Sequence, residues 1–266
     1  MSCCNILERA CEGISKTVLP VQNGVLHTFI QTVPQLDEVT LRKMRGALSA
    51  SENKRAERLV TEEMRRIFIV SHAALRAILA VTAGRELKDV AYVCGEYGKP
   101  YLEGRPDIGF NMSHSGKKFL IAFTGGCELG ADIQREFTDA DILAIARQYF
   151  SSEERFVIDR EPPEEKKRTF FRIWTLKEAY LKMTGTGLSV PLRTFSVSGR
   201  EEGGEYIIND RLGLRLPVRA HAFAPEPEYH AALVVNTKER MHVRIHNAPL
   251  FAMPDSGRPY KGHCLE

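Results

Sequence analysis

The segment FRIWTLKEAYLKMTGTGL (residues 171–188) places a tryptophan, a carboxylate and a lysine in one helical register. Trp174, Glu178, Leu181 and Lys182 are spaced i, i+4, i+7 and i+8, so they share one stripe of a helix. As a surface ion pair, Glu178 and Lys182 would stabilise the helix by only a few tenths of a kcal/mol. From the spacing alone, this surface ion pair is the simpler interpretation. A carboxylate beside a bulky ring is partly desolvated, which shifts the balance slightly toward a functional site.

The segment ELGADIQ (residues 128–134) reads as a strand that carries an acid. Side chains alternate along a strand, so Asp132 and Gln134 point to the same face. A buried aspartate is costly unless it meets a cation or a hydrogen-bond donor. Mg²⁺, which takes carboxylate and phosphate oxygens, is one such partner. An aspartate at a sheet edge facing water is the alternative, and the segment alone leaves both open.

Two loop-like segments carry groups suited to anions. GFNMSHSG (109–116) offers Ser113 and His114 between turn residues just before a strand, either as a hydrogen-bonded turn or as a clamp for phosphate or hydroxyl groups. No G-x-S-x-G elbow is present, which disfavours a serine hydrolase. In EYGKP (96–100), Lys99 sits on a rigid turn and either aims at an anion or is solvated.

Residues 42–66 are locally basic. A solvated helical face is the simpler interpretation, but an excess of positive charge would also attract a polyphosphate. This stretch contains four acidic residues and eight basic ones. The basic residues are Arg42, Lys43, Arg45, Lys54, Arg55, Arg58, Arg65 and Arg66.

The composition is that of a globular protein. The 266 residues are 43% apolar and 27% charged, with a formal net charge of +3, which does not by itself imply nucleic acid. We find no apolar run near the roughly 18 residues of a membrane span, and the charged N-terminus does not resemble a signal peptide. These two features predict a cytoplasmic location. The six cysteines form no C-x-x-C pair, so free thiols are expected.

The order of elements predicts an α+β fold. We expect a strand at 25–33, helices over 36–81, a strand at 90–94 and a hairpin of strands 118–124 and 128–134. Helices at 139–149 and 152–160, a loop at 161–168, the long helix and several strands follow. This gives an N-terminal extension (1–24), an N-terminal α+β half (25–125), a C-terminal α+β half (126–240) and a C-terminal tail (241–266). Each half would be a long helix packed on a small, mostly antiparallel sheet.

Taken together, these segments resemble the 4′-phosphopantetheinyl transferases, specifically the larger single-chain type that acts on carrier proteins of peptide and polyketide synthases. The resemblance covers roughly residues 25–236. Its motifs are LSASENKRAERL (48–59), EYGKPYL, FNMSHSG, LGADIQ and WTLKEAYLKMTGTGLSVPL (174–192). The last, with W, K-E-A, K and G-x-G-L in order, is the most specific.

The resemblance implies transfer of the phosphopantetheine arm of coenzyme A to a serine of an apo carrier protein, with release of 3′,5′-ADP. It also implies two similar halves related by a pseudo-twofold axis, with coenzyme A and Mg²⁺ (Mn²⁺ as the alternative ion) in the cleft between them. The implied metal ligands are Asp132, Glu178 and Gln134. Glu178 would be the base and Lys182 would neutralise charge, so the implied catalytic residues are Glu178, Lys182 and Asp132.

The residues implied for coenzyme A binding come from both halves. They are Arg55, Lys99, Ser113, His114, Lys177 and Lys182. One departure concerns the metal: the family's strand usually reads G-x-D-x-E, and Gln134 here lacks the second negative charge. We therefore expect weaker metal affinity, or a metal held mainly by Asp132 and Glu178.

Two other classes compete with this interpretation. A catalytically weak or inactive module that binds coenzyme A or a carrier protein is disfavoured by Asp132, Glu178 and Lys182, although Gln134 leaves it open. A nucleic-acid-binding protein would rest on residues 42–66, where no basic motif interleaved with aromatic residues occurs. The expected protein is a cytoplasmic monomer whose partners are acidic acyl or peptidyl carrier domains, with no nucleic acid and no membrane.

Overall fold

Two sheets and two long helices form the body of the protein. The computed structural model describes residues 7, 10–15, 21–137, 141–199, 205–210, 218–246 and 250–251. Its strands are β1 (Val25–Thr32), β2 (Tyr92–Cys94), β3 (Pro100–Leu102), β4 (Ile108–Ser115), β5 (Lys118–Gly125), β6 (Leu129–Arg135), β7 (Phe195–Ser198), β8 (Glu205–Asp210), β9 (Val218–Glu226), β10 (Tyr229–Asn236) and β11 (His242–His246). Its helices are α1 (Glu38–Gly46), α2 (Ala50–Glu57), α3 (Glu62–Ala83), α4 (Ile142–Tyr149), α5 (Ser152–Arg160) and α6 (Pro163–Thr184).

The two sheets repeat one arrangement. The first has the order β11-β1-β5-β4 and the second β6-β10-β9-β8-β7. In each, an initial strand (β1 or β6) pairs antiparallel with the second strand of a later hairpin, β4–β5 or β9–β10. Between that strand and its hairpin lie three helices, the last of them 22 residues long. The predicted α+β fold with two similar halves is confirmed.

The long helices α3 and α6 begin differently but end in the same way. Thr61 caps the first turn of α3 by accepting a hydrogen bond from the backbone of Met64, and α6 begins with Pro163 at its first position. Each helix is followed by a glycine in the left-handed conformation, Gly84 (φ 65°) and Gly185 (φ 72°), where a side chain would be strained. The signals for start and stop are therefore local, and they fix the length of both helices.

Packing produces four layers in the order helix, sheet, sheet, helix. The helix α3 covers the outer face of the first sheet, in a core that includes Phe29, Ile78, Phe110 and Phe123. The inner faces of the two sheets meet through a separate apolar cluster, which includes Leu26, Leu120, Leu129, Ile133 and Leu233. The helix α6 covers the outer face of the second sheet through residues such as Leu176, Tyr180 and Ala232.

Several expected elements differ in the structure. The hairpin of 118–124 with 128–134 is wrong, because β5 pairs with β1 and β4 whereas β6 crosses into the second sheet and pairs with β10. The segment 109–116 is not a turn but most of strand β4. The predicted loop 161–168 is largely the start of α6, since Pro163 and the acids after it favour a first helical turn.

The segments outside the two predicted halves also belong to the first half. Residues 10–15 are helical, and Ala10 and Ile14 lie in the first core. In the region expected to be a tail, β11 pairs in parallel with β1, and Leu250 and Phe251 are buried in the same core. The same predictions also covered residues 1–6, 8–9, 16–20, 247–249 and 252–266, which lie outside the described residues.

Among the described residues one helix, α3, is long and apolar enough to cross a membrane by length and composition. The expectation that no segment comes near that length was therefore wrong. Of its apolar window, 72% is buried inside the protein, so α3 is accounted for as a core helix.

Candidate active site

The site begins where α6 passes over β6 without a side chain between them. A Cβ atom at Gly130 would lie 1.9 Å from the carbonyl oxygen of Ala179 and 2.3 Å from the backbone nitrogen of Met183. Glycine is therefore required for this close approach of helix and strand. It allows α6 to bring Glu178 and Lys182, which immediately precede the contacting residues, close to Asp132 on β6.

Three side chains from both halves meet at this point. The ammonium group of Lys182 lies 2.7 Å from Oδ1 of Asp132 and 2.9 Å from Oγ of Ser113. The hydroxyl of Ser113 donates to the same Oδ1 at 2.8 Å. Asp132 and Ser113 are buried, whereas the side chain of Lys182 is 30% exposed, so the ammonium group marks the open side of the site.

Glu178 lies beside this triangle. Burial raises the pKa of its carboxyl, the negative charge of Asp132 raises it further, and Lys182 opposes both effects. The influence of Asp132 shows that the two acids share one environment, although they are 46 positions apart in the sequence. A carboxylate with a raised pKa is well suited to take up a proton near neutral pH.

A divalent cation fits the acceptors present here. Oδ2 of Asp132 is buried and has no hydrogen-bond partner, and burial together with the negative charge of Asp132 raises the pKa of the nearby Glu178 carboxyl. Oxygen donors of this kind are those that Mg²⁺ takes. Gln134 lies two residues along the same face, with its Oε1 3.3 Å from Ser115 Oγ. In the described residues no group of three or more His, Cys, Asp or Glu side chains surrounds a common point.

The two sheets are joined at this site by side chains of β4. Asn111 accepts a hydrogen bond from the backbone of Ala131 at 3.1 Å, and Ser115 accepts one from the backbone of Arg135 at 2.9 Å. Ser113 lies between them on the same face of β4. The pattern N-x-S-x-S thus places an acceptor or donor at every second residue against β6. These side chains hold the edge of the first sheet to the acid-bearing strand.

Positive charge surrounds the exposed His114. Partial burial and the charges of His72, Lys182 and Arg55 lower its pKa, whereas Asp132 opposes the shift. Arg55 is exposed on α2 and stands over the ring of Phe68, which is stacked on His72. The charges of Arg55 and Lys182 both act on His114, so these residues of the first and second halves lie near one another.

Lys99 lies at the end of α6. Its ammonium group donates to the carbonyl oxygen of Met183 at 2.7 Å and is paired with Glu128. Its side chain is only 6% exposed, and burial lowers its pKa while Glu128 opposes that shift. In this arrangement Lys99 ties the first half to the last turn of α6, and its predicted contact with coenzyme A stays a prediction.

The prediction that Lys177 contacts coenzyme A does not agree with its position. Lys177 lies on a different face of α6 from Lys182, and its side chain is fully buried. Its ammonium group lies 2.8 Å from Oε1 of Glu154 and donates to two backbone carbonyl groups. A lysine enclosed in this way presents no donor to the cleft.

Trp174 supports α6 from the side. Its ring stacks with Phe170 at 5.8 Å and lies near Phe150 and Tyr149. The sequence analysis did not single out Asn111, Gly130, His72 or Glu154. The alternating polar pattern of β4 was the signal available for Asn111, and the Ser151–Glu154 spacing was the signal for Glu154.

Comparison with known proteins gives consistent matches. The family model of the 4′-phosphopantetheinyl transferase superfamily matches residues 128–234, which include β6 and α6. The 4′-phosphopantetheinyl transferase Sfp of Bacillus subtilis strain 168 is 30% identical over 156 residues, which are 59% of this chain and 68% of that protein. HetI of Nostoc sp. is 35% identical over 155 residues (57% and 65%), and ffp of Bacillus subtilis is 28% identical over 206 residues (77% and 83%). The chain therefore belongs to the 4′-phosphopantetheinyl transferase superfamily, a family of group-transfer enzymes.

Proposed function

We propose that the protein transfers 4′-phosphopantetheine from coenzyme A to a serine of an apo carrier protein and releases 3′,5′-ADP. The observation that carries the proposal is the pairing of Asp132 and Glu178 at the junction of the halves, bordered by Lys182, His114 and Arg55. Two acids suited to a divalent cation lie near two cations suited to phosphates, Lys182 and Arg55, and near the imidazole of His114. The names of the matched relatives, all 4′-phosphopantetheinyl transferases, support the same reaction.

In the proposed reaction, the serine oxygen bonds to the phosphorus that carries the pantetheine arm. The bond from that phosphorus to the oxygen bridging the pyrophosphate breaks, and 3′,5′-ADP leaves with that oxygen. The proton of the serine hydroxyl passes to the carboxylate of Glu178, directly or through a water. Glu178 suits this role because its raised pKa favours the protonated form that results.

The remaining residues of the site act by charge and position. Lys182 lies beside Asp132 and would stabilise negative charge that develops on the departing phosphate. Ser113 hydrogen-bonds to both Lys182 and Asp132 and so fixes their relative positions. His114 and Arg55 would bind phosphate oxygens of coenzyme A. A divalent cation, Mg²⁺ in our proposal, would be held by Asp132, Glu178 and Gln134 and, when bound, supplies charge that neutralises the pyrophosphate.

The cellular setting follows from the substrates. The proposed partners are acidic carrier domains of fatty acid, polyketide or peptide synthases, to which a mildly basic enzyme is attracted electrostatically. We also propose a cytoplasmic monomer, since one chain supplies both walls of the cleft.

The test is incubation with coenzyme A, Mg²⁺ and a panel of apo acyl and peptidyl carrier proteins, followed by intact-protein mass spectrometry. Transfer adds the mass of phosphopantetheine to the carrier, and chromatography of the small molecules should show 3′,5′-ADP. Binding of coenzyme A with no mass gain on any carrier in the panel would instead favour the inactive binding module.

A further inference from the structure

The residue next to Glu178 in the sequence is enclosed in the core of the second half. Lys177 has no exposed surface, and each proton of its ammonium group has an acceptor. These acceptors are Oε1 of Glu154 at 2.8 Å, the carbonyl oxygen of Leu192 at 2.8 Å and the carbonyl oxygen of Phe195 at 2.6 Å. The ring of Phe195 lies 4.2 Å from the same nitrogen. The side chain therefore has one well-defined position.

Glu154 is equally constrained. The same Oε1 accepts a hydrogen bond from the backbone of Val197 at 2.7 Å, and Oε2 accepts one from the backbone of Ser151 at 2.9 Å, within the capping box of α5. The carboxylate of Glu154 is thus held in place by α5 and β7 as well as by Lys177. Through this pair, α6 is attached to α5, to β7 and to the segment between α6 and β7.

The first half contains the counterpart of this pair. Glu52, the capping-box acid of α2, lies 3.3 Å from the guanidinium of Arg76. Arg76 is the fifteenth residue of α3, and Lys177 is the fifteenth residue of α6. A buried acid and base in the same place in both halves belong to the shared scaffold. The two helices differ at the next position. In α6 this position holds Glu178, an acid of the site, whereas in α3 it holds Ala77.

A buried ion pair is weak support for stability. Desolvation of the two charges offsets most of their attraction, and well-packed apolar side chains often serve as well. What such a pair does supply is geometry, because its hydrogen bonds are directional. Consecutive residues of a helix are fixed relative to one another, so a lysine held at four points sets the rotation of α6 at Glu178.

We propose that Lys177 and Glu154 are positioning residues of the transferase, which set the rotation and height of α6 so that Glu178 faces Asp132. The proposal rests on the proposed function of the site. It assigns Lys177 no contact with coenzyme A, which separates it from the role that the sequence resemblance implied.

Steady-state kinetics of Lys177→Met, Lys177→Arg and Glu154→Gln test the proposal. Wild-type transfer to a carrier is measured first, so that absence of the reaction is recognised as failure of the proposed function. We expect kcat of Lys177→Met to fall by about 30-fold, with the KM for coenzyme A changed less than threefold. A rotation of α6 displaces Glu178 and Lys182, which act on the reacting groups, but leaves Arg55 and His114 of the first half in place. Lys177→Arg should recover part of kcat.

Arg76→Met is the matched control. It removes the same kind of buried partner from the first half, so its folded fraction should keep wild-type kcat even where its melting temperature falls. If Lys177→Met fails to fold, Glu154→Gln and Lys177→Arg carry the same comparison. The proposal is overturned if KM for coenzyme A rises while kcat is kept, or if Arg76→Met lowers kcat of the folded protein as much as Lys177→Met does.

Discussion

The two halves share their scaffold and differ in their chemistry. Both have a capping box whose acid pairs with the fifteenth residue of a 22-residue helix, and both helices end before a left-handed glycine. Where α6 carries Glu178 and Lys182, the same places in α3 hold Ala77 and Val81. The second half thus supplies the acids and the first half supplies His114, Arg55 and Ser113. The two halves therefore share one fold, and the side chains where the halves meet determine what each contributes to the site.

The largest effect should come from removing the acid that only the second half has. We expect Glu178→Gln to lower kcat/KM for carrier modification by about 10²- to 10⁴-fold, the range typical of a general base. The protein should fold normally, since an amide of the same shape replaces a half-buried acid. Glu164→Gln, which changes an exposed acid in the first turn of α6, is the control and should leave kcat/KM unchanged. Equal rates for both variants would contradict the role of Glu178.

The close approach of α6 to β6 should be the next most sensitive feature. Gly130→Ala places a methyl group against the backbone of Ala179 and Met183, so we expect the free energy of unfolding to fall by about 3 kcal/mol and transfer to be lost. Denaturant unfolding measures the change. Gly46→Ala is the control, because a Cβ there meets no atom within 4 Å. A Gly130→Ala protein as stable as Gly46→Ala would show that the helix can move away at little cost.

A pH effect on stability is expected from a buried histidine of the first half. His27 is buried, its Nδ1 lies 2.9 Å from Nε2 of His246, and burial together with the charges of His246 and Arg244 lowers its pKa from 6.5 to about 4. A lowered histidine pKa means that the unfolded chain binds the proton more readily. Stability is therefore complete above pH 6.5 and is lost as the pH falls toward 4, by about 3 kcal/mol at 1.36 kcal/mol per pKa unit.

Unfolding free energies at pH 7 and pH 4 check this for wild type and His27→Phe. The variant keeps an aromatic ring against Phe123 and should lose about 3 kcal/mol less than wild type over this range. His242→Asn, a change of an exposed histidine on β11, should behave as wild type. Identical pH dependence of all three proteins would rule out His27 as the titrating group.

The smallest effect concerns the metal. Gln134→Glu restores a negative charge on the face of β6 that carries Asp132, and affinity for divalent cations rises with the number of charged ligands. We expect Mg²⁺ to bind about tenfold more tightly by isothermal titration calorimetry. Asn209→Asp, which adds the same charge on the exposed part of β8, controls for net charge. An unchanged Mg²⁺ affinity in Gln134→Glu would mean that residue 134 does not face the ion.

Much of the fold follows from local signals. The helical periodicity over residues 36–81 predicted α3 to within two residues of its end at Ala83, because a glycine after the last turn acts within a few residues. The placement of Asp132 and Gln134 on one face of β6 followed from alternation alone. Each of these inferences depends on neighbours in the sequence, and each agrees with the structure.

Partners distant in the sequence limited the rest. Gly125 and Gly126, where β5 ends, suggested a hairpin with β6, but β6 pairs instead with β10, a strand about 100 residues later. The polar residues of β4 suggested a turn, because the edge of a second sheet that satisfies them cannot be inferred locally. Lys177 was assigned to the ligand for the same reason: Glu154 and the carbonyl groups that enclose it come from other elements.

The parallel pairing of β11 with β1 has a consequence for biosynthesis. The first sheet begins near residue 25 but lacks its outermost strand until residues 242–246 are made, and its core lacks Leu250 and Phe251 until the ribosome reaches them. During translation β1 therefore has an uncovered edge while the second half emerges. An exposed edge of this kind invites pairing with other chains, so we expect a fragment that stops before residue 242 to precipitate on expression.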